Sequence, residues 1–451
     1  MMPRPTTAMF FRSELVSAHW DTWVYHDEKR FYAFYLISSA SQWDAFGLAI
    51  SDDGVRWIDH GPVLHASDKM VRFLGTGSVW KAVDRDGYIC NYSEWRLNES
   101  GNPEQTILFA TSKDLRHWTK CGDELIFPID PRYYDNEGRW DCINPIQAKP
   151  GGGYYGTWTA TPKGRASKEG GIGFGFTNDG LHWEALPPFE LEQEADESGA
   201  IFQNNGRYYG LFGVFEKPMV MKTFQAERLE GPYRLSDRNP VALDRYAYFA
   251  RAFEAGGTRL VNHHAISLFV NEHGKPLCYL APLKTIRYAE DGTLFLAYWQ
   301  GNERLKKIPI DPAFDHDVLW GKQVALMRNA LGCEMGIVWE CFVKPSGNQE
   351  IQGILIGMKT KGFTLLEIKA DLSVAFHTLD KETFHVDPIY VFARDYPFVH
   401  PGHIRILAKE SVLEVYVNDI YLCSYSMPEL MSGQYGLLES DNFMDIRLWT
   451  P

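Results

Sequence analysis

The chain has 451 residues, of which 45% are hydrophobic and 23% charged, and its 58 acidic and 45 basic residues give a net charge of −13. This length excludes a minimal disulfide-held scaffold and predicts two or three domains, or one large β domain with a smaller companion. The acidic balance argues against broad electrostatic attraction to phosphate backbones or anionic lipids. We therefore expect neither nucleic acid nor a membrane as a partner.

The N-terminal run and the cysteines indicate the cellular compartment. The first residues contain no apolar run as long as a secretory signal requires, and no other stretch approaches the ~20 apolar residues of a membrane span. The seven cysteines are scattered and include no CxxC pair, which favours reduced thiols over disulfides or a zinc site. The sequence thus predicts a cytoplasmic protein.

A short pattern that ends in tryptophan recurs along the first half of the chain. Its three clear copies run from a small or apolar residue through Ser or Thr and an acidic turn to Trp57, Trp118 and Trp183, and a degenerate copy ends at Tyr233. Such a repeat is typical of structural units arranged side by side. We assign these three tryptophans to the core.

Extended aromatic segments alternate with these copies, each after a turn that contains Gly, Asn or Asp. The five segments are residues 27–36, 84–95, 151–161, 204–213 and 256–267. Such turns followed by aromatic and β-branched residues are typical of β-hairpins. Five units, each too small to bury its own face, predict a five-bladed β-propeller over residues 1–302. A pair of β-sandwiches, the competing architecture, does not explain the tryptophan repeat.

The pattern changes near residue 303. Residues 303–320 predict a connector with short helical character. Over residues 321–451, short apolar segments alternate with turns, which is typical of a β-sandwich. The predicted fold class is therefore all-β, a five-bladed β-propeller followed by a C-terminal β-sandwich.

Three local runs resemble glycoside hydrolase family 32, the invertase, inulinase and levanase family. Residues 411–419, SVLEVYVND, resemble a sandwich strand of that family. Residues 282–299 are similar to its segment between propeller and sandwich, with Leu283 and Lys284 in place of the usual Pro-Arg pair, and residues 248–264 are similar to its fifth-blade segment. The chain is thus identified as a divergent relative near families 32, 43 and 68, and the resemblance implies a catalytic propeller.

The family's three catalytic motifs are matched in part. Its Asn-Asp-Pro-Asn run corresponds to residues 20–23 (Trp-Asp-Thr-Trp), its Arg-Asp-Pro run to residues 139–141 (Arg-Trp-Asp) and its Glu-Cys run to residues 197–198 (Glu-Ser). Each segment keeps the acid and changes its neighbours. The departures bear on specificity for sucrose or inulin more than on hydrolytic chemistry.

Glycoside hydrolysis needs the kind of carboxyl groups that these motifs keep. One carboxylic acid protonates the leaving oxygen, and a carboxylate lies on the opposite side of the anomeric carbon. Counting back from the hairpin tyrosines puts Asp21 and Glu197 at equal distances and Asp141 slightly further. Since the first strands of all blades line one axial pocket, these acids are expected to converge. We predict Asp21 as nucleophile, Glu197 as general acid/base and Asp141 as stabiliser of the transition state.

Neighbouring acids are alternatives to the assignment of Glu197. Glu192, Glu194 and Asp196 stand close to it in the sequence, and a shift in strand register would bring one of them to the pocket. For any single acid at the start of a strand, the competing interpretation is a solvent-exposed carboxylate or a turn cap.

Aromatic and polar residues around these acids are predicted to bind the substrate, because tryptophan rings can stack on a furanose. The predicted set is Trp20, Trp23, Trp43, Ser78, Trp80, Arg139, Trp140, Tyr248 and His263. Blade packing competes as an interpretation for every tryptophan, and a surface ion pair for Arg139. His263 and His264 are interpreted either as a hydrogen-bonded structural pair or as holders of a calcium-associated water.

The resemblance and the acids together predict an exo-acting, retaining glycoside hydrolase that releases a fructofuranosyl or related furanosyl unit from a small oligosaccharide. The alternatives are an arabinofuranosidase-like inverting hydrolase or a fructosyl transferase on the same fold, and a catalytically silent carbohydrate-binding protein. No HExxH or EF-hand spacing occurs, so no metal and no other cofactor is expected. The C-terminal sandwich is a candidate surface for a homo-oligomer.

Overall fold

The computed structural model describes residues 6–38, 42–165, 170–215, 219–238, 241, 243, 246–344, 350–359, 362–380, 386–392 and 401–451. Strands dominate this part of the chain. Helix is limited there to three 3-10 segments, Asp123–Leu125, Gln300–Leu305 and Ser440–Asn442. The predicted all-β fold, a β-propeller with a β-sandwich, is confirmed.

The N-terminal region folds into successive antiparallel blades, of which the first four are separate sheets. Blade 1 contains β1 (Thr6–Ala8), β2 (Ala18–His26), β3 (Phe31–Ser38), β4 (Trp43–Ser51) and β5 (Arg56–His65). Blade 2 contains β6 (Leu74–Lys81), β7 (Tyr88–Leu97), β8 (Pro103–Ser112) and β9 (Trp118–Lys120). Blade 3 contains β10 (Trp140–Ala148), β11 (Tyr154–Ala160), β12 (Ile172–Thr177) and β13 (Trp183–Leu186).

The last two blades complete the ring. Blade 4 contains β14 (Glu197–Asn204), β15 (Arg207–Val214), β16 (Val220–Ala226) and β17 (Arg234–Leu235). Blade 5 contains β18 (Ala247–Ala255), β19 (Thr258–Val270), β20 (Pro276–Leu280), β21 (Lys284–Tyr288) and β22 (Leu294–Tyr298). The first strands β2, β6, β10, β14 and β18 contact one another in cyclic order. Phe11 pairs with Leu280 of β20 and so joins the start of the chain to blade 5.

The recurrent tryptophan pattern forms the same turn in three blades. In blade 3, the Thr177 hydroxyl accepts a hydrogen bond from Gly180 N–H, and one Asp179 carboxylate oxygen accepts from Leu181 N–H and His182 N–H. The corresponding Ser and Asp side chains of blades 1 and 2 accept equivalent bonds. Such turns satisfy backbone donors that no strand partner reaches.

The hydrophobic core is divided among the seams between blades. Separate clusters of buried residues fill the seams 1–2, 2–3, 3–4 and 1–5. Trp57 and Trp183 are buried in such clusters, and Trp118 packs edge-on against Phe34. Another cluster spans blades 4 and 5 and the C-terminal region, with Tyr416 among its members.

The C-terminal region is a sandwich of two antiparallel sheets. Its strands are β23 (Ile308–Ile310), β24 (Phe314–Leu319), β25 (Lys322–Met327), β26 (Ile337–Val343), β27 (Gly353–Lys359), β28 (Gly362–Ile368), β29 (Val374–Asp380), β30 (Val386–Phe392), β31 (Gly402–Lys409), β32 (Val412–Val417), β33 (Ile420–Ser426), β34 (Gln434–Leu438) and β35 (Phe443–Thr450). One sheet has the order β24-β25-β34-β27-β28-β29-β30. The other has the order β33-β32-β31-β26-β35-β23 and continues into blade 5, because β33 pairs with β22.

The segment predicted as a connector contains both helix and strand. The 3-10 segment Gln300–Leu305 overlaps its beginning. Within residues 303–320, β23 pairs with β35 and β24 pairs with β25, so both strands belong to the sandwich sheets. The domain bounds 1–302, 303–320 and 321–451 themselves stay a prediction.

Candidate active site

The innermost strand of every blade carries a β-bulge near its N-terminal end. Pairing with the second strand is interrupted between residues 20 and 23, 76 and 79, 141 and 144, 198 and 200, and 248 and 251. At three of these bulges the backbone enters the left-handed region, with φ of 43° at Asp21, 60° at Cys142 and 65° at Phe249. Bulges re-aim side chains and are common beside active sites.

Asp21 lies in the bulge of β2 and is 5% exposed. Thr76 Oγ1 of β6 donates a hydrogen bond of 2.6 Å to Asp21 Oδ2. Arg251 of β18 places a guanidinium nitrogen 3.5 Å from Asp21 Oδ1. Three blades thus meet at this carboxylate, which fixes its orientation at the ring axis.

Asp141 and Glu197 share one cation. Arg139 donates a 2.9 Å hydrogen bond to Asp141 Oδ2, and the same nitrogen lies 3.9 Å from Glu197 Oε1. Ser93 Oγ of β7 donates a 2.5 Å bond to Asp141 Oδ1. Both carboxyl groups are at most 5% exposed, so the arrangement holds them together in a region with little water.

Burial gives two of the three acids unusual proton affinities. It raises the pKa of Asp21 to about 6, although Arg251 and the Thr76 hydroxyl act in the opposite direction. It raises the pKa of Glu197 to about 7 against the opposing charges of Arg139 and Arg251. Because Glu197 has the higher pKa, it keeps a proton at a pH where Asp21 has lost its own.

A thiol lies between the carboxylates. Cys142 Sγ donates to the carbonyl oxygen of Thr76 and lies 3.7 Å from Asp21 Oδ2. Burial raises the pKa of Cys142 well above its ordinary value, with the charges of Asp141 and Asp21 adding to the effect. The thiol therefore serves as a protonated donor at this position.

Arg251 and Tyr248 are the least satisfied polar groups of the cluster. The Arg251 guanidinium is stacked between the rings of Trp23 and Phe249, 4.2 Å from each centroid. Its Nε has no hydrogen-bond partner, and the buried Tyr248 hydroxyl, on the strand beside Glu197, has none either. Buried donors without partners are costly unless a ligand completes them.

Two of the tryptophans predicted to bind substrate lie at this site. Trp20 is partly exposed and packs against His264 and Phe249, at centroid distances of 5.0 and 6.2 Å. Trp23 is 4% exposed, and one face of its ring is covered by the Arg251 guanidinium. Trp20 is thus the ring with surface available for stacking.

The structure buries Trp80 and Trp140, at odds with the prediction that they bind substrate. Trp140 is 0% exposed and packs among Phe127 and Trp158, and Trp80 is 3% exposed against Trp183. Both indole N–H groups donate to backbone carbonyls. Successive side chains of a strand point to opposite faces, so Trp140 enters the seam between blades while Asp141 faces the axis.

Ser78 and His263 also have structural partners. Ser78 Oγ donates to the Ile143 carbonyl and joins blades 2 and 3. His263 is 0% exposed, and its Nδ1 lies 2.9 Å from the carbonyl oxygen of His264, while its Nε2 lies 3.3 Å from Glu414 of the sandwich. These contacts agree with the structural-pair interpretation of His263 rather than with a substrate contact.

Trp43 stands at the edge of blade 1. It pairs with Ser38, which in turn pairs with Ala18, so it lies near the end of the blade where β2 begins. The ammonium group of Lys275 lies 4.2 Å from its ring centroid.

Glu197, rather than its neighbours in the sequence, reaches the acidic cluster. Glu192 and Glu194 are exposed, and Glu192 accepts a hydrogen bond from Leu235 N–H in blade 4. Asp196 pairs with Arg165 at 2.7 Å and accepts from Phe215 N–H.

Counting from the hairpins implied that the three acids occupy equivalent strand positions, and the structure shows that they do not. Asp21 is inside its bulge, Asp141 is the last paired residue before one, and Glu197 pairs with Gly213 one residue earlier still. Asp21 lies further along its strand than Glu197, but the turn before β3 is longer than the two-residue turn before β15. The two differences cancel, so the distances from the acids to the hairpin tyrosines agree by coincidence. The acids still converge because all three strands line the axis.

Several residues of the site carried no assignment from the sequence. Thr76 and Ser93 were missed because a hydroxyl gives no signal of its own, although Thr76 stands two residues before Ser78, which was assigned to substrate binding. Gly75, the residue before Thr76, is required by space, since a Cβ there would lie 2.5 Å from Asp141 Oδ1. Arg251 lies in the fifth-blade segment, and its charge between Ala250 and Ala252 in a run rich in Ala and aromatic residues was the available signal.

The fold and the site define a class of protein, a five-bladed propeller with buried carboxylates at its axis and a C-terminal sandwich. Searches with the sequence find no matching family model and no matching curated protein. Within the described residues no helix is long and apolar enough to cross a membrane.

Comparison of the structure finds the same fold in family 32 glycoside hydrolases. A sucrose-6-phosphate hydrolase from Lactobacillus gasseri superposes with a TM-score of 0.74 at 13% identity, over 100% of this chain and 93% of the other. A Bombyx mori GH32 beta-fructofuranosidase gives 0.72 at 14% identity, over 98% and 93%. Fructan 1-exohydrolase IIa from Cichorium intybus gives 0.67 at 13% identity, over 100% and 98%. The chain therefore has a divergent form of the family 32 fold.

Proposed function

We propose that the protein is a glycoside hydrolase that acts on fructosides and releases a terminal fructofuranosyl or related furanosyl unit from a small oligosaccharide with retention of configuration. The observation that carries this proposal is the set of three buried carboxyl groups at the axis, two of which have pKa values separated by environment. Structures of the same fold include proteins named as a beta-fructofuranosidase and a fructan exohydrolase. That likeness supports the substrate class proposed here.

In the first step of the proposed reaction, the ionised Asp21 carboxylate attacks the anomeric carbon. The bond to the leaving oxygen breaks as Glu197 transfers its proton to that oxygen, and a glycosyl ester on Asp21 remains. Thr76 holds Asp21 Oδ2 through a 2.6 Å hydrogen bond, and Oδ1, which lies 3.5 Å from an Arg251 nitrogen, is the attacking oxygen. Tyr248, whose side chain carries a free hydroxyl, is available to a sugar oxygen.

In the second step, Glu197 acts as the base. Its carboxylate accepts a proton from water, the water oxygen attacks the anomeric carbon, and the bond to Asp21 breaks to release the sugar. Asp141 is held by Ser93 and Arg139 and accepts hydrogen bonds from ring hydroxyls, which become stronger as positive charge develops on the sugar.

Three isosteric variants test the roles. We expect Glu197→Gln to lower kcat by about 10²–10⁴-fold, and Asp21→Asn and Asp141→Asn to lower it at least as much. Glu194→Gln, which changes an exposed acid three residues from Glu197, is the matched control and should keep wild-type activity. The measurement is product release from sucrose, short fructans, difructose anhydrides and aryl arabinofuranosides.

The outcomes separate the alternatives. A folded Asp21→Asn variant with substantial activity would contradict the nucleophile assignment. An inverted product anomer in an early NMR spectrum would favour the arabinofuranosidase-like inverting hydrolase. Thermal stabilisation by a sugar without turnover of any substrate would favour a binding protein.

A further inference from the structure

Thr22, the residue after Asp21 in the β2 bulge, has all three of its polar groups held by buried side chains. Its N–H donates to His264 Nε2 at 3.0 Å. Its carbonyl oxygen accepts from Asn262 Nδ2 at 2.9 Å, and its hydroxyl lies 2.8 Å from His19 Nε2. We call His19, Asn262 and His264 the Thr22 clamp.

The Thr22 clamp is a deeply buried feature of the seam between blades 1 and 5. Asn262 and His264 are 0% exposed and lie two residues apart on β19, where alternation directs both side chains to one face. His19 is 3% exposed and belongs to β2 itself. Two of the three contacts therefore reach the nucleophile's strand from the last blade.

The bulge needs such contacts because it removes Asp21 and Thr22 from the ladder between β2 and β3. Their neighbours Trp20 and Trp23 keep partners in β3, and Asp21 adopts a φ of 43°. A residue held in a sparsely populated backbone region persists only where its surroundings determine it. Thr22 also stands where the resembled motif has proline, which has no N–H, so this chain has an additional buried donor that His264 satisfies.

We propose that His19, Asn262 and His264 are positioning residues for catalysis, which fix the bulge backbone so that the Asp21 carboxylate is held at the anomeric carbon. The proposal rests on the function proposed above. None of the three side chains hydrogen-bonds to Asp21 itself, and they act through the peptide groups and hydroxyl of Thr22. His264 accepts at Nε2, so its ring carries its proton on Nδ1.

Asn262→Ala is the test variant, and Asn302→Ala is its matched control. Asn302 is also 0% exposed and also donates from Nδ2 to a backbone carbonyl at 2.9 Å, that of Leu283. The Oδ1 atoms of both asparagines lack partners. We expect similar losses of Tm in the two variants. Only Asn262→Ala should lower kcat, by about 10- to 100-fold with little change in KM, because a small misplacement of a reacting group costs rate.

His264 provides a rescue experiment. We expect kcat to fall in His264→Ala. His264→Gln, whose side-chain oxygen can accept from Thr22 N–H, should recover a large part of the lost kcat while having the same Tm as His264→Ala. Equal kcat in the Asn262→Ala and Asn302→Ala variants, or no difference between Ala and Gln at position 264, would overturn the proposal.

A readout without turnover separates this inference from the proposed function. Hydrogen exchange of a peptide covering residues 18–26 should be faster in Asn262→Ala than in Asn302→Ala, and unchanged exchange would overturn the clamp. If the wild-type protein cleaves no fructoside while the exchange difference is present, the proposed function is wrong but the clamp is supported.

Discussion

Two carboxyl groups of one site differ in proton affinity because of what lies beside each. Burial raises the pKa of both, to about 6 for Asp21 and about 7 for Glu197. Asp21 receives a hydroxyl bond from Thr76 and lies near Arg251, whereas Glu197 is 3.9 Å from the nearest Arg139 nitrogen. Environments that separate the pKa values of two acids are the usual way to assign a nucleophile and a general acid.

The dependence of kcat/KM on pH follows from these values. We expect a bell-shaped profile with its optimum between about pH 6 and 7, because below it Asp21 is protonated and above it Glu197 loses its proton. Initial rates on a cleaved fructoside at fixed ionic strength measure the profile. A plateau that extends below pH 5 would contradict the assigned groups.

The same burial predicts that Glu197→Gln, which should lower activity, raises the stability of the fold at high pH. The pKa of Glu197 lies above its ordinary value of 4.5, so the folded state favours the neutral carboxyl group. The free energy of unfolding therefore falls as the pH rises through about 7, where the buried group must ionise. A glutamine at this position cannot ionise, so the variant avoids this fall. The variant should therefore be more stable than wild type by about 1–3 kcal/mol at pH 8, with a smaller difference at pH 5, as measured by urea unfolding at both pH values. The exposed Glu194→Gln should show no such pH-dependent gain.

At the scale of elements, the repeated turn has a measurable weight. Asp179→Ala leaves the N–H groups of Leu181 and His182 without their acceptor. We expect a loss of about 1–2 kcal/mol. Asp84→Ala removes an exposed acid whose ion pair with Arg85 is at the surface and should change stability by less than ~0.5 kcal/mol. Equal midpoints of urea unfolding for the two variants would count against the structural role of the turn.

Strand periodicity and turn residues made the blades predictable, and bulges limited the prediction of the site. The hairpin turns and the Ser/Thr-Asp-Trp pattern are local signals, and their spacing requires a repeated unit. A bulge adds unpaired residues without any sequence signature. Counting along β2, β10 and β14 therefore predicted three acids that the structure does bring together, but assigned them the same strand position. Trp140 was assigned to the wrong face because it stands beside Asp141 in β10, and successive residues of a strand point to opposite faces. Trp80 has no acidic neighbour; it follows the bulge of β6 and packs into the seam between blades 2 and 3.

At the scale of the whole molecule, a buried ion pair attaches the sandwich to the propeller. Lys284 Nζ of blade 5 lies 2.7 Å from Glu414 Oε1 of β32, and the Tyr416 hydroxyl donates to the other Glu414 oxygen at 2.6 Å. Both charged side chains are 0% exposed. At the same interface β22 of blade 5 pairs with β33 of the sandwich, so the two domains are joined by backbone pairing as well as by side-chain contacts.

Removal of one partner should destabilise this interface strongly. We expect Glu414→Ala to cost about 3–5 kcal/mol because the Lys284 charge is left buried without its partner. The double variant Lys284→Met/Glu414→Gln removes both charges, keeps an acceptor for Tyr416 and should recover most of the loss. Asp315→Ala, which breaks an exposed pair with Arg328, should cost less than ~1 kcal/mol. Urea unfolding ranks the three variants, and an equal loss in the single and double variants would contradict the argument.

The sequence predicted both domains but not the contacts that join them. Lys284 and Glu414 each stood in a segment that resembles the family, yet nothing local indicates that residues so far apart in the chain form a pair. Pairing of β22 with β33 rests on the same kind of long-range contact, which propensity does not encode.

The placement of the Thr22 clamp also sets an order of events during synthesis. The hydrogen bond from Thr22 to His264 joins residues 242 positions apart. At about 5–20 residues per second on the ribosome, the strand that carries Asp21 emerges some tens of seconds before the residues that fix it. Nascent chains that end before blade 5 therefore hold β2 without its partner seam, and the hydrogen bonds from blade 5 that fix the backbone beside Asp21 form only with the last blade.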